Sequence, residues 1–224
     1  MAGIQIVGNV NNTTAAEVEV NTKAVRTVIR PDDYGSLGIY AVGGASGTMA
    51  AALAAATDIF QFRWTSTTNF ALIKLVSISI GDVVAMTTAQ AGAVSLFKAT
   101  SWTADGSGGT TLTPAAGQNK LRTSMGSTLV GAIRISSTAA LTAGTKTLDT
   151  TALSEIAFGI TTGAGAQWLP LADLFRSNAG DHPFILSPQA TNFEGFVIQN
   201  SILMGAGGTF TFAVKVVWEE LAAY

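Results

Sequence analysis

Residues 209–218, TFTFAVKVVW, alternate strictly between apolar and more polar positions. Phe210, Phe212, Val214, Val216 and Trp218 fall on one face of an extended chain, and Thr209, Thr211, Ala213, Lys215 and Val217 on the other. A period of two in aromatic and β-branched residues predicts a half-buried strand. Residues 193–203 form a second apolar run just upstream, and Met204-Gly205-Ala206-Gly207-Gly208 between them can take positive φ. The pair is therefore expected to close a C-terminal antiparallel hairpin.

The same pattern recurs along the chain. Residues 58–64 place Phe60, Phe62 and Trp64 inward and Gln61 and Arg63 outward. Residues 70–80 end with Val76, Ile78 and Ile80 on one face and Ser77 and Ser79 on the other. Shorter strands are expected at 92–102, 128–137, 152–161 and 183–187, and another at 34–42. Near the start, Val18 and Val20 alternate with Glu17 and Glu19, and Val28-Ile29-Arg30 stops at Pro31. The tally is about eight to ten strands. Helix has little support: one or two turns at 48–56, where Ala and Leu cluster, and a short turn at 171–176 after Pro170. Long Gly/Thr/Ser connections are expected at 104–118, 137–151 and 161–167.

Many strands, long connections and no repeat period predict an all-β fold. Its expected form is a two-sheet antiparallel sandwich, jelly-roll-like, formed by residues 17–224 as one domain. An immunoglobulin-like sandwich of roughly 100 residues would leave half of the chain unexplained. Residues 1–16, uncharged and Asn/Thr-rich, read as an extended N-terminal arm.

Composition narrows what such a sandwich could do. Asp, Glu, Lys and Arg make up 12% of the 224 residues, against roughly 25% in ordinary soluble domains. A surface with few charges is poorly defended against association, so partners are expected to cover it. The net charge of −2 and the scattered basic residues leave no footprint for a polyanion, so no nucleic acid is expected as partner. There is no Cys, hence neither a disulfide framework nor a thiolate metal site. The opening MAGIQIVGNVNNTT lacks a basic region followed by an apolar one, so no secretory signal is expected. Residues 38–56 carry no charge, but they are mostly Ala and Gly with a turn-like Gly43-Gly44-Ala45-Ser46-Gly47, and no membrane span is expected there.

Candidate chemistry is sparse. His182, the only imidazole, sits in Gly180-Asp181-His182-Pro183. Its neighbour Asp181 would point away from it on an extended chain, so a turn residue entering a strand at Phe184 is expected rather than a general base. Asp32-Asp33 after Pro31 resembles an Asx turn and lacks the further oxygen donors of a calcium site. Glu219-Glu220 is expected to be a solvated strand end. The glycine-rich tracts match neither GxSxG nor a P-loop, because the residue two after Ser46 is Thr48 and no Lys directly follows a Gly. Gly163-Ala164-Gly165 lacks the third glycine of a dinucleotide fingerprint. Trp64, Trp102, Trp168 and Trp218 could offer a sugar-binding platform, but beside apolar strands they are expected to pack the core. The chain thus offers no catalytic residue set, no cofactor motif and no metal-ligand set. The expectation is a protein that is not an enzyme and works by binding, with a carbohydrate-binding or glycan-active protein as the chemical alternative.

Several tracts carry a resemblance. NKLRTSMGS at 119–127 followed by IRISSTAALTAGT at 133–145, NFEGFVI at 192–198, FAVKVVWE at 212–219 and YGSLG at 34–38 resemble virion structural proteins of tailed bacteriophages. The resemblance spans residues 23–220, and its most specific part is 119–145. It carries over no functional residue. It implies a virion protein assembled in the bacterial host cytoplasm, foremost a capsid decoration (cement) protein that binds the major capsid protein. A tail, neck, baseplate or fibre component that binds other virion proteins is the alternative. A homo-oligomer is expected because closed symmetry is the usual way to bury a charge-poor surface, and analogy with decoration proteins makes it a trimer first of all.

Overall fold

A computed structural model describes residues 37–114, 119–121, 126, 128, 130–178 and 181–222. The expected arm at 1–16, the strands at 17–20 and 28–30, and Asp32-Asp33 lie outside them. The described residues form thirteen strands. In chain order these are β1 (Gly38–Ala45), β2 (Met49–Ala50), β3 (Thr57–Trp64), β4 (Phe70–Val84), β5 (Gln90–Ala104), β6 (Thr110–Thr111) and β7 (Val130–Ile135). There follow β8 (Thr145–Leu148), β9 (Ser154–Ile160), β10 (Gln167–Arg176), β11 (Phe184–Leu186), β12 (Phe193–Asn200) and β13 (Thr209–Leu221).

Two antiparallel sheets result. The first runs β1-β13-β4-β10, with β11 also on β4 and β2 on β13; the second runs β6-β7-β3-β12-β5-β8, with β9 also on β5. Stripped to eight principal strands (β1, β3, β4, β5, β9, β10, β12, β13) and renumbered, the sheets read 1-8-3-6 and 2-7-4-5. That is the strand order of a jelly roll, in which consecutive strands other than the fourth and fifth alternate between layers to build paired Greek keys. The expected all-β sandwich is the observed fold.

The core forms where the inward faces meet. Phe62 of β3 stacks on Phe196 of β12 at 4.9 Å between ring centroids and meets Trp218 of β13 edge-on at 5.3 Å, joining the two layers. Tyr40 stacks on Trp218 at 5.6 Å. All five predicted inward residues of β13 are buried, as are those of β3 and β4. Trp64, Trp168 and Trp218 pack in this core as expected; Trp102 is buried but lies outside it. Trp102 belongs to a separate small cluster with Ala99 and Val197 on the outer side of the second sheet.

Four expectations about local structure are overturned. The C-terminal hairpin does not form: β12 pairs with β3 and β5, whereas β13 pairs with β1, β2 and β4 in the other sheet. Residues 201–208 are longer than the usual two to five of a hairpin loop and span the ~10 Å between layers. Asn200 guides the exit, its Nδ2 donating to the carbonyls of Ala54 (3.0 Å) and Ile202 (2.6 Å). Gly207 and Gly208 do take positive φ, at 84° and 78°. Second, 171–176 is no helical turn but part of β10, which among the described residues pairs only with β4 and absorbs Pro170 in a register shift between Leu169 and Ala172. An edge strand with an irregularity is where a strand tolerates proline. Third, 48–56 holds the short β2 and a turn with Ala52 and Ala56 at positive φ. Fourth, the connections at 104–118 and 137–151 contain β6, which pairs with β7, and β8, which pairs with β5.

Candidate functional site

The ionisable residues of the sandwich are mostly engaged with one another. Asp58 of β3 and Lys146 of β8 form an ion pair at 2.6 Å with side chains 2% and 4% exposed. Gln61 donates to Asp58 Oδ2 (2.6 Å) and Gln199 to Oδ1 (2.9 Å). Lys146 also donates to the carbonyl of Ala143 and lies 5.1 Å over the Trp102 ring. Gln61, read from the sequence as an outward residue, does point away from the core, yet it is 2% exposed. Residues 136–148 fold over this outer face, with Leu141 N donating to Asp58 O (2.8 Å) and Gln61 Nε2 to Thr142 O (2.9 Å). The network clamps a long connection onto the second sheet. Arg63, also read as outward, is half-buried, with Nε and Nη2 each 2.9 Å from an Asp105 oxygen.

Glu219 and Glu220 are not a solvated strand end. β13 continues through Leu221, and the two are 4% and 0% exposed. Glu220 Oε1 accepts from Thr128 Oγ1 (2.5 Å) and Trp218 Nε1 (3.0 Å), and Glu219 lies 3.9 Å from Lys74 Nζ. Hydrogen bonds of this kind offset the cost of burying a carboxylate. Tyr40 lies beside it and donates to the carbonyl of Gly126 at 3.0 Å. Burial, and then the charge of Glu220, push its phenol up to about 12.

His182 is exposed, its Nδ1 2.8 Å from the carbonyl oxygen of Pro183, directly before β11. The Asp181 carboxylate accepts from Asn178 N (3.0 Å) and Nδ2 (3.1 Å), which closes a turn. A cavity of about 490 Å³ opens beside His182, walled by Phe70, Leu153, Phe175 and Phe184. Lys98 lines it and pairs with Glu194 at 3.4 Å, while Glu194 also accepts from Ser187 N at 2.7 Å. The cavity is chiefly apolar. Among the described residues no three His, Asp or Glu gather as metal ligands, and no helix is long and apolar enough to cross a membrane.

The remaining candidate is a surface rather than a cleft. The outer side of the β1-β13-β4-β10 sheet carries a shallow groove of about 440 Å³ lined by Ala41, Gly43, Ala45, Ser79, Leu171 and Ala213, with Lys215 beside them. Two register rows cross it: Ala45–Ala213–Ser79, and Gly43–Lys215–Ser77–Asp173. Ala45, Ala213, Gly43 and Lys215 are exposed, and Leu171 stands out at 74% exposure. The sequence showed Ala213 and Lys215 on the outer face of their strand. Only the topology brings them beside Gly43 and Leu171, from strands far apart in the chain. No protein-family model matches the chain, and no curated protein matches it.

Proposed function

We propose that the chain is a structural protein of a tailed-phage particle that works by binding and without chemistry, foremost as a capsid decoration protein docked on the major capsid protein. The reading is supported above all by one combination: a jelly-roll sandwich with its charges largely engaged internally and, on one sheet, an exposed shallow groove lined chiefly by Ala, Gly and Ser. Such a groove with an exposed Leu costs little to dehydrate, so the sandwich is suited to being covered by neighbouring protein, a second copy included, as a subunit of a particle is. The phage-like tracts supply the setting. Many modest contacts repeated over a symmetric shell then add up by multivalency.

Quantitative labelling of purified particles tests this reading. Decoration requires many copies that scale with capsomer number and lie over the shell. A few copies confined to one vertex or to the tail would instead favour a neck, tail or baseplate part. Absence from particles would remove the virion reading altogether.

A further inference from the structure

We infer that the open face of the β1-β13-β4-β10 sheet is closed by a second copy of this chain in a two-fold, face-to-face contact. The face is self-complementary in shape. Its protruding residue, Leu171, stands on edge strand β10, 74% exposed. Its hollow lies toward the opposite strand, β1, where a Cβ built on Gly43 would meet nothing within 4 Å. A two-fold axis in the plane of the face, inclined by roughly 25° to the strands because Leu171 lies two residues along from the Gly43 row, brings β10 of each copy over β1 of the other, so that each Leu171 enters the hollow above the partner's Gly43. An isologous contact requires this reciprocity: a feature on one side of the patch must match another on the far side.

Charge follows the same geometry. Lys215 projects from the middle of the face, and among the described residues it has no acidic partner. Asp173 lies in the same register row, near Leu171, and alternates with the buried Leu174, so it faces outward. Arg176 takes its Oδ2 at 2.6 Å, which leaves Oδ1 for a second donor. The rotation that seats Leu171 also carries Asp173 of each copy toward Lys215 of the other. Two apolar insertions and two opposite-charge pairs thus arise from one operation. The inference holds whether or not the particle is a phage, and its test uses the purified full chain alone, so its failure is distinguishable from that of the proposed function.

Sedimentation velocity over a range of concentrations is the test, with thermal melts as a folding control. The wild type is expected to be a dimer. Gly43→Phe, which fills the hollow, and Leu171→Asp, which removes the protrusion, are expected to be monomers with unchanged melts, because neither position packs in the core. Lys215→Glu should weaken the dimer tenfold or more by placing like charges together. The double variant Lys215→Glu/Asp173→Lys should restore it. A monomeric wild type, a trimer, or a dimer that persists in both Gly43→Phe and Leu171→Asp would overturn the inference. So would a double variant no tighter than Lys215→Glu alone, since the charge pairing would then be absent.

Discussion

Lys146 carries a charge into a place that excludes water, and what it meets there sets its value. Asp58 is its partner, and two glutamine amides and the face of Trp102 surround the pair. Replacing both members with apolar residues of similar volume is often neutral, but removing one leaves a buried charge without its partner. Lys146→Met is therefore expected to cost about 3–5 kcal/mol in urea unfolding, and adding Asp58→Asn should recover most of that loss. A Lys146→Met variant as stable as the wild type would mean that the pair does not hold the 136–148 connection. Tyr40 makes a second residue-scale case. An unfolded tyrosine releases its proton near 10, whereas Tyr40 holds it up to about 12. Its contribution is complete below pH 10 and is lost as pH rises through 12, because only the unfolded chain ionises in that window. Alkaline unfolding should show a smaller loss of stability between those values in Tyr40→Phe than in the wild type.

At the scale of elements, strands with strict alternation along the chain were the legible ones. β13 and β3 announced themselves because their inward aromatics alternate with polar or small residues, and the structure places those aromatics where the alternation put them. β10 was hidden because Pro170 and three register shifts break its period, a tolerance granted by its edge position rather than by its own residues. β8 was hidden because Thr145–Leu148 is short and mostly polar; it is placed by pairing with β5 and by Lys146 reaching Asp58, both far away in sequence. Partner choice was the least legible property. β12 and β13 are adjacent and both apolar, so a local rule joins them, yet the jelly-roll order sends them to opposite layers. The burial of Glu219 and Glu220 has the same origin, since two glutamates at a strand end look solvated until Thr128 and Trp218 are brought to one of them. The open face was half legible: the outward residues of β13 could be named, but not their neighbours across the sheet.

For the whole molecule, the two proposals make a joint demand. If copies pair through the β1-β13-β4-β10 face, that face is buried within the pair, and the surfaces that reach the particle must lie elsewhere on each sandwich. The pair then offers two identical binding surfaces to a shell that repeats its own sites. Linking two such surfaces raises apparent affinity by about 10²–10⁴-fold when both can engage at once. Gly43→Phe separates the copies without touching those other surfaces. Titrated onto particles stripped of this protein, it is expected to bind about 10²-fold more weakly than the wild type, while its melting temperature stays within about 2 °C. Equal affinity would mean that each copy docks alone and that pairing adds nothing on the shell. Complete loss of binding would place the particle contact on the open face itself, with the second copy competing for it.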